Sequence, residues 1–454
     1  MADYAKIFKA YDIRGVVPDD LDENAAEAVG AAFVRLTGAP GVVTAYDMRV
    51  SSPGLAAAFA RGAAAQGADV ISAGLGSTDL LYYASGSLDL PGAMITASHN
   101  PARYNGIKLC RAGARPVGAE TGLREIQEMV AAGIPAHSGV PGIITGRDLL
   151  SGYAAHLRTL VDLSGIRPLK VVVDAGNGMA GYTVPTVFDG LPIETVPLYF
   201  ELDGNFPNHE ANPIDPRNLV DLQRAVTNAG ADLGLAFDGD ADRCFVVDER
   251  GELVSPSVLT ALIAVRELQR EPGAAIIHNL ITSRAVAEIV IAHGGRPVRT
   301  RVGHSFIKAQ MAAEGAVFGG EHSGHFYFRD FWFADSGMLA AMHVLAALGS
   351  GTRPLSQLLA EYSWYVATGE INSEVADQAA TTARIRAAFA GRPGLTTDDL
   401  DGLTVSAPDW WFNVRPSNTE PLLRLNAEAA DAVTLAGIRD EVLRIITGDP
   451  SADR

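Results

Sequence analysis

The sequence predicts an α/β protein built from three related α/β domains with mixed sheets, followed by a smaller C-terminal α+β domain. Three segments, residues 41–74, 170–199 and 274–303, share one plan: an apolar strand, a polar or glycine-containing turn, an Ala-rich helix and a second strand. Strands separated by helical patterns indicate βαβ units on largely parallel sheets. The segments recur about one hundred or more residues apart, which indicates separate domains rather than a solenoid of short repeats.

The C-terminal part follows a different plan. Residues 400–447 read as strand, strand, loop, strand and helix, and the change of pattern begins near Gly369. The Gly- and Pro-rich stretch that starts at Ala131 is the expected first linker. A chain of 454 residues has room for about three or four domains, which agrees with this division.

Composition limits the classes of function. The formal net charge is -17, which argues against a general binder of nucleic acid or of acidic membranes, so an anionic small molecule would need a local cluster of Arg and Lys. Two cysteines without a CxxC pattern exclude a zinc ribbon and a disulfide scaffold, and they fit a reducing compartment. The sequence shows neither a signal peptide nor a membrane span, so we expect a cytoplasmic protein.

The first stretch that could carry chemistry is TASHNP, residues 96–101. Pro101 favours an extended Asn100, and Asn105-Gly106 indicates a turn, so Ser98 is predicted on a loop between two strands. Taken alone, this is a turn whose side chains bond their own backbone, and the alternative is a nucleophile. A serine protease triad is disfavoured because no GxSxG pattern surrounds Ser98.

The second stretch is DGDADR, residues 238–243, directly after an apolar strand. An extended backbone would turn Asp238, Asp240 and Asp242 to one side, where three carboxylates suit Mg²⁺. An EF-hand loop needs Gly where Arg243 stands. A phosphatase with Asp238 as nucleophile and a solvated acidic turn are the remaining alternatives.

The third and fourth stretches favour recognition of a sugar and of a phosphate. GEHSGH, residues 320–325, lies between glycines rather than on a helix, so it does not match an HExxH zinc site. RPSNTEP, residues 415–421, places a guanidinium, two hydroxyls and an amide together, with Arg424 nearby. Such groups bind phosphate oxygens, and they supply the local cationic cluster that the overall charge requires. A surface loop and a structural Arg-Glu turn are the respective alternatives.

In this order, the four stretches resemble those of the α-D-phosphohexomutases, in which they are the phosphoserine, metal, sugar-recognition and phosphate-binding loops; YDIRG at residues 11–15 adds a fifth. The resemblance spans the whole chain and implies four domains around a central cleft. It places them at residues 1–145, 146–254, 255–366 and 367–454. It also implies a reversible mutase with a phosphoserine, Mg²⁺ and a hexose 1,6-bisphosphate intermediate and activator. The expected partner is a small-molecule hexose phosphate, with neither nucleic acid nor membrane, and the oligomeric state is not predicted.

The resemblance assigns roles residue by residue. Ser98 carries the phosphoryl group and contributes to a metal site with Asp238, Asp240 and Asp242. Lys108 and His325 are the expected proton-transfer groups, and Arg243 is the further catalytic cation. The substrate-binding positions are Tyr11, Arg14, His99, His304, Glu321, Ser323, Arg415, Ser417, Asn418, Thr419 and Arg424.

The resemblance is closest to bacterial phosphomannomutase/phosphoglucomutase enzymes. Phosphoglucosamine mutases of the family usually have Gly where this chain has Asn418, and His322 departs from the Met that many members carry. The expected reaction is therefore interconversion of mannose 6-phosphate and mannose 1-phosphate, with glucose phosphates as further substrates. A phosphoglucosamine mutase is the alternative, and a sugar-phosphate phosphatase using Asp238 is a more remote one.

Overall fold

The computed structural model describes residues 4–417 and 421–448, apart from the side chains of Tyr4, Ala5 and His304. It contains four sheets, and each belongs to one of four consecutive domains. The first three sheets mix parallel and antiparallel strands, and the fourth is antiparallel. The predicted fold class is confirmed. Among the helices in the described part of the chain, none combines the length and the apolar character that a bilayer span requires.

The first domain has a seven-stranded sheet flanked by helices. Its strands are β1 (Ile13–Val16), β2 (Gly41–Tyr46), β3 (Asp69–Leu75), β4 (Gly92–Ile95), β5 (Tyr104–Arg111), β6 (Arg115–Pro116) and β7 (Ile144–Gly146). Its helices are α1 (Glu23–Thr37), α2 (Ser52–Ala65), α3 (Thr78–Leu88) and α4 (Arg124–Ala132). The strand order is β1-β5-β4-β2-β3-β7, with β6 paired to β5, and the expected parallel unit is β2-α2-β3.

The second and third domains each have a five-stranded sheet. The second contains α5 (Leu150–Leu160), β8 (Leu169–Asp174), α6 (Ala180–Phe188), β9 (Ile193–Leu198), α7 (Val220–Ala229), β10 (Leu233–Phe237), β11 (Cys244–Asp248) and β12 (Leu253–Val254). The third contains α8 (Pro256–Arg270), β13 (Ala275–Asn279), α9 (Arg284–Ala292), β14 (Arg296–Thr300), α10 (His304–Glu314), β15 (Phe318–Gly320), β16 (Phe326–Phe328), β17 (Ala334–Asp335), α11 (Gly337–Gly349) and α12 (Leu355–Leu359). The predicted parallel pairs, β8 with β9 and β13 with β14, are both present.

The fourth domain is the expected smaller α+β unit. It contains β18 (Val366–Glu374), α13 (Gln378–Phe389), β19 (Thr396–Asp398), β20 (Leu403–Ser406), β21 (Trp410–Pro416), β22 (Leu422–Ala429) and α14 (Ala432–Thr447). The strand order is β18-β22-β21-β20-β19. Helices α13 and α14 cover its apolar core, which includes Phe389, Phe412 and Leu425.

Three of the predicted site loops occupy equivalent positions in the first three sheets. Strands β4, β10 and β15 each lie parallel to an earlier strand of their own sheet. Each is followed by a loop and then by an antiparallel partner, β5, β11 or β16. The repeated βαβ plan therefore places one predicted site loop in each of the first three domains, at the carboxyl ends of its parallel strands.

Candidate active site

Ser98 lies on the predicted loop between β4 and β5, and it faces the second domain. Its side chain is nearly buried, and its backbone is left-handed, with φ of 51°. The Ser98 hydroxyl donates to Asp238 Oδ2 at 2.7 Å and accepts from Arg243 Nη2 at 3.3 Å. Its Oγ also lies 3.2 Å from His99 Nδ1. The structure thus brings together two loops that are 140 residues apart in the chain.

The acidic loop joins β10 to β11 and is fully buried. One ligand oxygen from each of Asp238, Asp240 and Asp242 lies within 4.8 Å of the others. The expected convergence is therefore present, but the expected extended backbone is wrong: residues 239 and 240 form a turn, and Ala241 has a left-handed φ of 59°. At Gly239 a Cβ would lie 2.4 Å from the Ser98 carbonyl oxygen, so the close approach of the two loops requires glycine.

The acidic loop has the donors that a divalent cation needs. The Oδ1 atoms of Asp240 and Asp242 are buried, and neither accepts a hydrogen bond from the described residues. A buried carboxylate oxygen without a partner is unfavourable, and carboxylate oxygens are the ligands that Mg²⁺ prefers. The loop therefore fits a Mg²⁺ ion, with Ser98 Oγ beside it.

Two cations pair with the three carboxylates of the acidic loop. Lys108 Nζ lies 2.6 Å from Asp240 Oδ2 and 2.7 Å from Asp242 Oδ2, and Arg243 Nη2 lies 2.8 Å from Asp238 Oδ2. Burial opposes the charge on Lys108, but Asp240 and Asp242 outweigh it and raise the pKa of the lysine above its usual value. Lys108 therefore holds its proton in this arrangement, and it could accept one only after its two carboxylate partners were neutralised.

The pKa values of Asp238 and Asp240 are shifted in opposite directions. Burial raises the pKa of Asp238 to about 8, although Arg243 lies beside it. Burial also acts on Asp240, but Lys108 and its hydrogen bond hold the pKa of Asp240 below its usual range. Crowded carboxylates of this kind favour uptake of a compensating positive charge.

The GEHSGH loop, predicted to recognise the sugar, lies between β15 and β16, next to the acidic loop. Glu321 Oε2 accepts from Tyr327 Oη at 2.8 Å and from Ser323 Oγ at 3.3 Å. Ser323 Oγ lies 3.0 Å from His325 Nδ1, and His325 Nε2 lies 3.6 Å from Asp242 Oδ1. The structure thus brings Glu321, Ser323 and His325 together beside the acidic loop.

Arg415 and Arg424 of the fourth domain face each other across β21 and β22. Glu370 of β18 joins them, with Oε2 at 2.8 Å from Arg415 Nη2 and Oε1 at 3.6 Å from Arg424 Nη1. The Nε atoms of both arginines are buried and make no hydrogen bond to described residues. Ser417 is also buried here, whereas the predicted Asn418 and Thr419 lie outside the described residues.

The structure describes the side chains of three of the remaining predicted residues, Arg14, His99 and Tyr11. Arg14 donates to Asp12 and to Asn100 of the serine loop, which is the loop between β4 and β5, residues 96–103. His99 contacts Arg243 through Nδ1, and burial with that guanidinium lowers the pKa of His99 well below its usual value. Tyr11 is half-buried, and burial raises its pKa. His304 begins α10, and its side chain lies outside the described part of the chain.

Sequence reasoning missed three polar residues that support these loops: Arg49, Thr78 and Glu370. Thr78 donates to Asp240 Oδ2 at 2.6 Å from the first domain. Arg49 and Thr78 follow β2 and β3, at the carboxyl ends of parallel strands, where α/β proteins place their sites. Their position after parallel strands could have identified Arg49 and Thr78 from the sequence. Glu370 lies in the middle of β18, where no sequence pattern marks it.

Comparison with protein families agrees with this geometry. Models described as phosphoglucomutase/phosphomannomutase alpha/beta/alpha domains I, II and III match residues 5–135, 151–251 and 256–365, and the model of the C-terminal domain matches residues 370–445. The chain is 40% identical over 445 residues to a phosphomannomutase of Salmonella typhimurium, covering 96% of this chain and 97% of the relative. It is 41% identical over 444 residues to a protein of Xanthomonas campestris pv. campestris named phosphohexose mutases, covering 97% and 99%.

Solved structures agree as well. A phosphoglucomutase/phosphomannomutase family protein of Burkholderia thailandensis is 35% identical, with a TM-score of 0.89 over 100% of this chain and 99% of its own. An Aspergillus fumigatus N-acetylphosphoglucosamine mutase, solved with GlcNAc-6P and magnesium, shares the fold at 14% identity, with a TM-score of 0.61 over 98% and 96%. The chain belongs to the phosphoglucomutase/phosphomannomutase family and is a phosphohexomutase, an isomerase that works by phosphoryl transfer.

Proposed function

We propose that this chain is a phosphomannomutase, which interconverts mannose 6-phosphate and mannose 1-phosphate through a phosphorylated Ser98. The observation that carries the mechanism is the contact of Ser98 Oγ with Asp238 at 2.7 Å, with the Arg243 guanidinium on the same oxygen. A serine held between a carboxylate loop and a cation is suited to carry a phosphoryl group whose charge must be neutralised. The mannose assignment is supported by relatives named phosphomannomutase at about 40% identity.

The proposed reaction has two transfers of opposite direction. In the first, the bond between Ser98 Oγ and phosphorus breaks while a sugar hydroxyl oxygen bonds to phosphorus. The hydroxyl proton passes to His325 or Lys108, and Ser98 Oγ takes up a proton as it leaves, which restores the hydroxyl that donates to Asp238; Ser98 gives that proton up again in the second transfer. The first transfer gives a hexose 1,6-bisphosphate. The bisphosphate then turns so that its other phosphate faces Ser98, which takes that phosphoryl group back. The base returns its proton to the sugar oxygen that is released.

Asp238, Asp240 and Asp242 are the proposed ligands of Mg²⁺, together with a phosphoryl oxygen on Ser98. When bound, the ion supplies neutralisation of charge on the transferring group. Binding through the unpartnered Oδ1 atoms would also weaken the attraction of Asp240 and Asp242 for Lys108, which their Oδ2 atoms hold. Lys108 could then contact the phosphoryl group or move a proton.

The two ends of the substrate are assigned to the third and fourth domains. Glu321, fixed by Tyr327 and Ser323, is oriented to accept hydrogen bonds from sugar hydroxyls. Arg415 and Arg424 are spaced to hold the phosphate that is not reacting, and that phosphate would replace Glu370. The other proposed contacts are Tyr11, Arg14, His99, His304, Ser417, Asn418 and Thr419.

The mechanism is tested by intact-mass and peptide mass spectrometry of the protein after incubation with glucose 1,6-bisphosphate and Mg²⁺. We expect one phosphoryl group on Ser98, removed by excess sugar monophosphate, and loss of mutase turnover in Ser98→Ala. A phosphoryl group trapped on Asp238, with sugar-phosphate hydrolysis that survives in Ser98→Ala, would show a phosphatase instead.

The substrate is tested by comparing kcat/KM for mannose 1-phosphate, glucose 1-phosphate and glucosamine 1-phosphate, each with Mg²⁺ and a trace of glucose 1,6-bisphosphate. We expect the mannose value to equal or exceed the glucose value, and both to exceed the glucosamine value at least tenfold. A dominant glucosamine rate would overturn the mannose assignment while leaving the phosphoserine mechanism in place.

A further inference from the structure

Arg49 is a fully buried arginine outside the predicted site, in the segment that joins β2 to α2. Only 1% of its surface is exposed. All five N–H groups of a guanidinium are used here, which is unusual for an isolated arginine. Nε donates to Asp47 Oδ2 at 3.2 Å, and the four Nη hydrogens all go to backbone carbonyl oxygens of residues 98–104.

Three of the four carbonyls belong to the serine loop, and the fourth belongs to the first residue of β5. Nη2 donates to Ser98 O at 2.8 Å and to Asn100 O at 2.6 Å, and Nη1 donates to Pro101 O and Tyr104 O, both at 3.0 Å. One planar group therefore determines where the loop begins, turns and ends. A lysine at this position offers three donors around a point and cannot match four carbonyls and a carboxylate in one plane.

The same network fixes the peptide groups on both sides of Ser98. The Ser98 carbonyl is held by Arg49, and the Ser98 N–H donates to Thr96 Oγ1 at 2.9 Å. Asp47, the carboxylate partner of Arg49, accepts in turn from Thr96 and from Ser52. With both neighbours fixed and φ at 51°, the Cα–Cβ bond of Ser98 has one direction, toward Asp238.

The second domain closes over the guanidinium. The ring of Phe206 lies 5.1 Å from Arg49 Cζ. At Gly204 a Cβ would lie 2.6 Å from Arg49 Cα, so the loop between β9 and α7 approaches the arginine backbone directly. The position of the serine loop is therefore tied to the domain that carries the acidic loop.

We propose that Arg49 is a positioning residue for phosphoryl transfer: it holds the serine loop so that Ser98 Oγ stays in line with the acceptor oxygen in both half-reactions. This inference rests on the proposed phosphoserine mechanism. The Nη groups of Arg49 bind backbone carbonyls rather than Ser98 Oγ, so Arg49 acts through the loop backbone. Misplacement of a reacting group by about 1 Å costs about a hundredfold in rate, so the effect belongs in kcat.

The test compares wild type, Arg49→Lys, Arg49→Ala and, as matched control, Arg103→Lys. Arg103 lies in the same loop but is exposed, with its guanidinium over the Tyr104 ring. We expect kcat to fall about a hundredfold in both Arg49 variants. We also expect KM for the sugar phosphate and all constants of Arg103→Lys to stay within about twofold of wild type, because the phosphate-binding arginines lie in the fourth domain.

Chemical rescue separates positioning from general destabilisation. Millimolar guanidinium should raise kcat of Arg49→Ala at least tenfold by occupying the vacated site, whereas sodium or methylammonium at equal ionic strength should not. Failure of guanidinium to rescue a folded Arg49→Ala, or wild-type kcat in Arg49→Lys, would overturn the inference.

If Arg49→Ala does not fold, Arg49→Lys decides alone. A fall in its kcat with unchanged KM and unchanged far-UV dichroism supports positioning, whereas an equal fall in stability and folded fraction overturns it. A wild-type protein that is never phosphorylated on Ser98 instead refutes the proposed function.

Discussion

Asp79 is a buried carboxylate at the junction of three domains, and its titration should be visible in the stability of the protein. It lies in the first turn of α3 and accepts from Ser77, from Tyr153 Oη at 2.7 Å and from Ser336 Oγ at 2.7 Å. These hydroxyls come from the first, second and third domains. Burial raises the pKa of Asp79 from 3.8 to about 6, and the hydrogen bonds offset only part of that rise.

The sign of the effect follows from proton binding. Because the pKa of Asp79 is higher in the folded state, the folded protein binds more protons than the unfolded chain between about pH 4 and 6. The contribution of Asp79 to the free energy of unfolding is therefore greatest below pH 4 and is lost as the pH rises through 6. A shift of about 2 pKa units corresponds to ~3 kcal/mol, of which ~2 kcal/mol falls between pH 4 and 7.

Asp79→Asn removes the titration and keeps the size of the side chain. At pH 4 the free energy of unfolding should be lower for the variant than for wild type. Between pH 4 and pH 7 the variant should gain ~2 kcal/mol relative to wild type. Urea unfolding followed by tryptophan fluorescence at both pH values measures it. Asp89→Asn is the matched control, since Asp89 is exposed at the left-handed C-terminal cap of the same helix, where Asn fits equally well. A difference for Asp79→Asn that stays constant between the two pH values refutes the reasoning.

Two further predictions concern the ligand-binding loops. Thr78→Val deletes the hydroxyl that orients Asp240 and should raise the Mg²⁺ concentration for half-maximal activity about tenfold, with Thr78→Ser near wild type; equal Mg²⁺ dependence in Thr78→Val would contradict this role. Glu370→Gln removes the carboxylate that pairs with Arg415 and Arg424 and should lower the inhibition constant of inorganic phosphate about two- to fivefold, as expected for a partly exposed ion pair. Weaker phosphate inhibition in that variant would mean that Glu370 holds the arginines in place rather than competing with phosphate.

The sequence was informative wherever a local pattern determines the structure. Alternation of apolar strands and Ala-rich helices predicted the three βαβ units, and the strand pattern after Gly369 predicted the fourth domain. The loops that carry Ser98, Asp238 and Glu321 were found because each groups polar residue types that can carry chemistry: in a turn between two strands, directly after an apolar strand, and between glycines. The resemblance to a family then supplied roles that spacing alone left open.

The remainder depends on contacts between distant parts of the chain. Asp79 reads in the sequence as an ordinary acidic residue at the start of a helix, and only Tyr153 and Ser336 from other domains reveal its burial. The acidic loop converges through a turn at Ala241, which an argument from strand alternation cannot foresee. Arg49 has no sequence signal for its four carbonyl partners, because backbone acceptors are present in every loop.

The cations of the site are already paired with carboxylates of the protein. This pairing couples binding of the metal ion to binding of the phosphate. Lys108 is held by Asp240 and Asp242, Arg243 by Asp238, and Arg415 by Glu370 of β18. A phosphoryl group alone would have to compete with these carboxylates for the cations. Carboxylates that also held a divalent ion would attract Lys108 and Arg243 less strongly, which would let both cations face the phosphoryl group. Ion and phosphate should therefore each favour binding of the other, which would allow a protein with a net charge of -17 to bind the proposed anionic sugar phosphate.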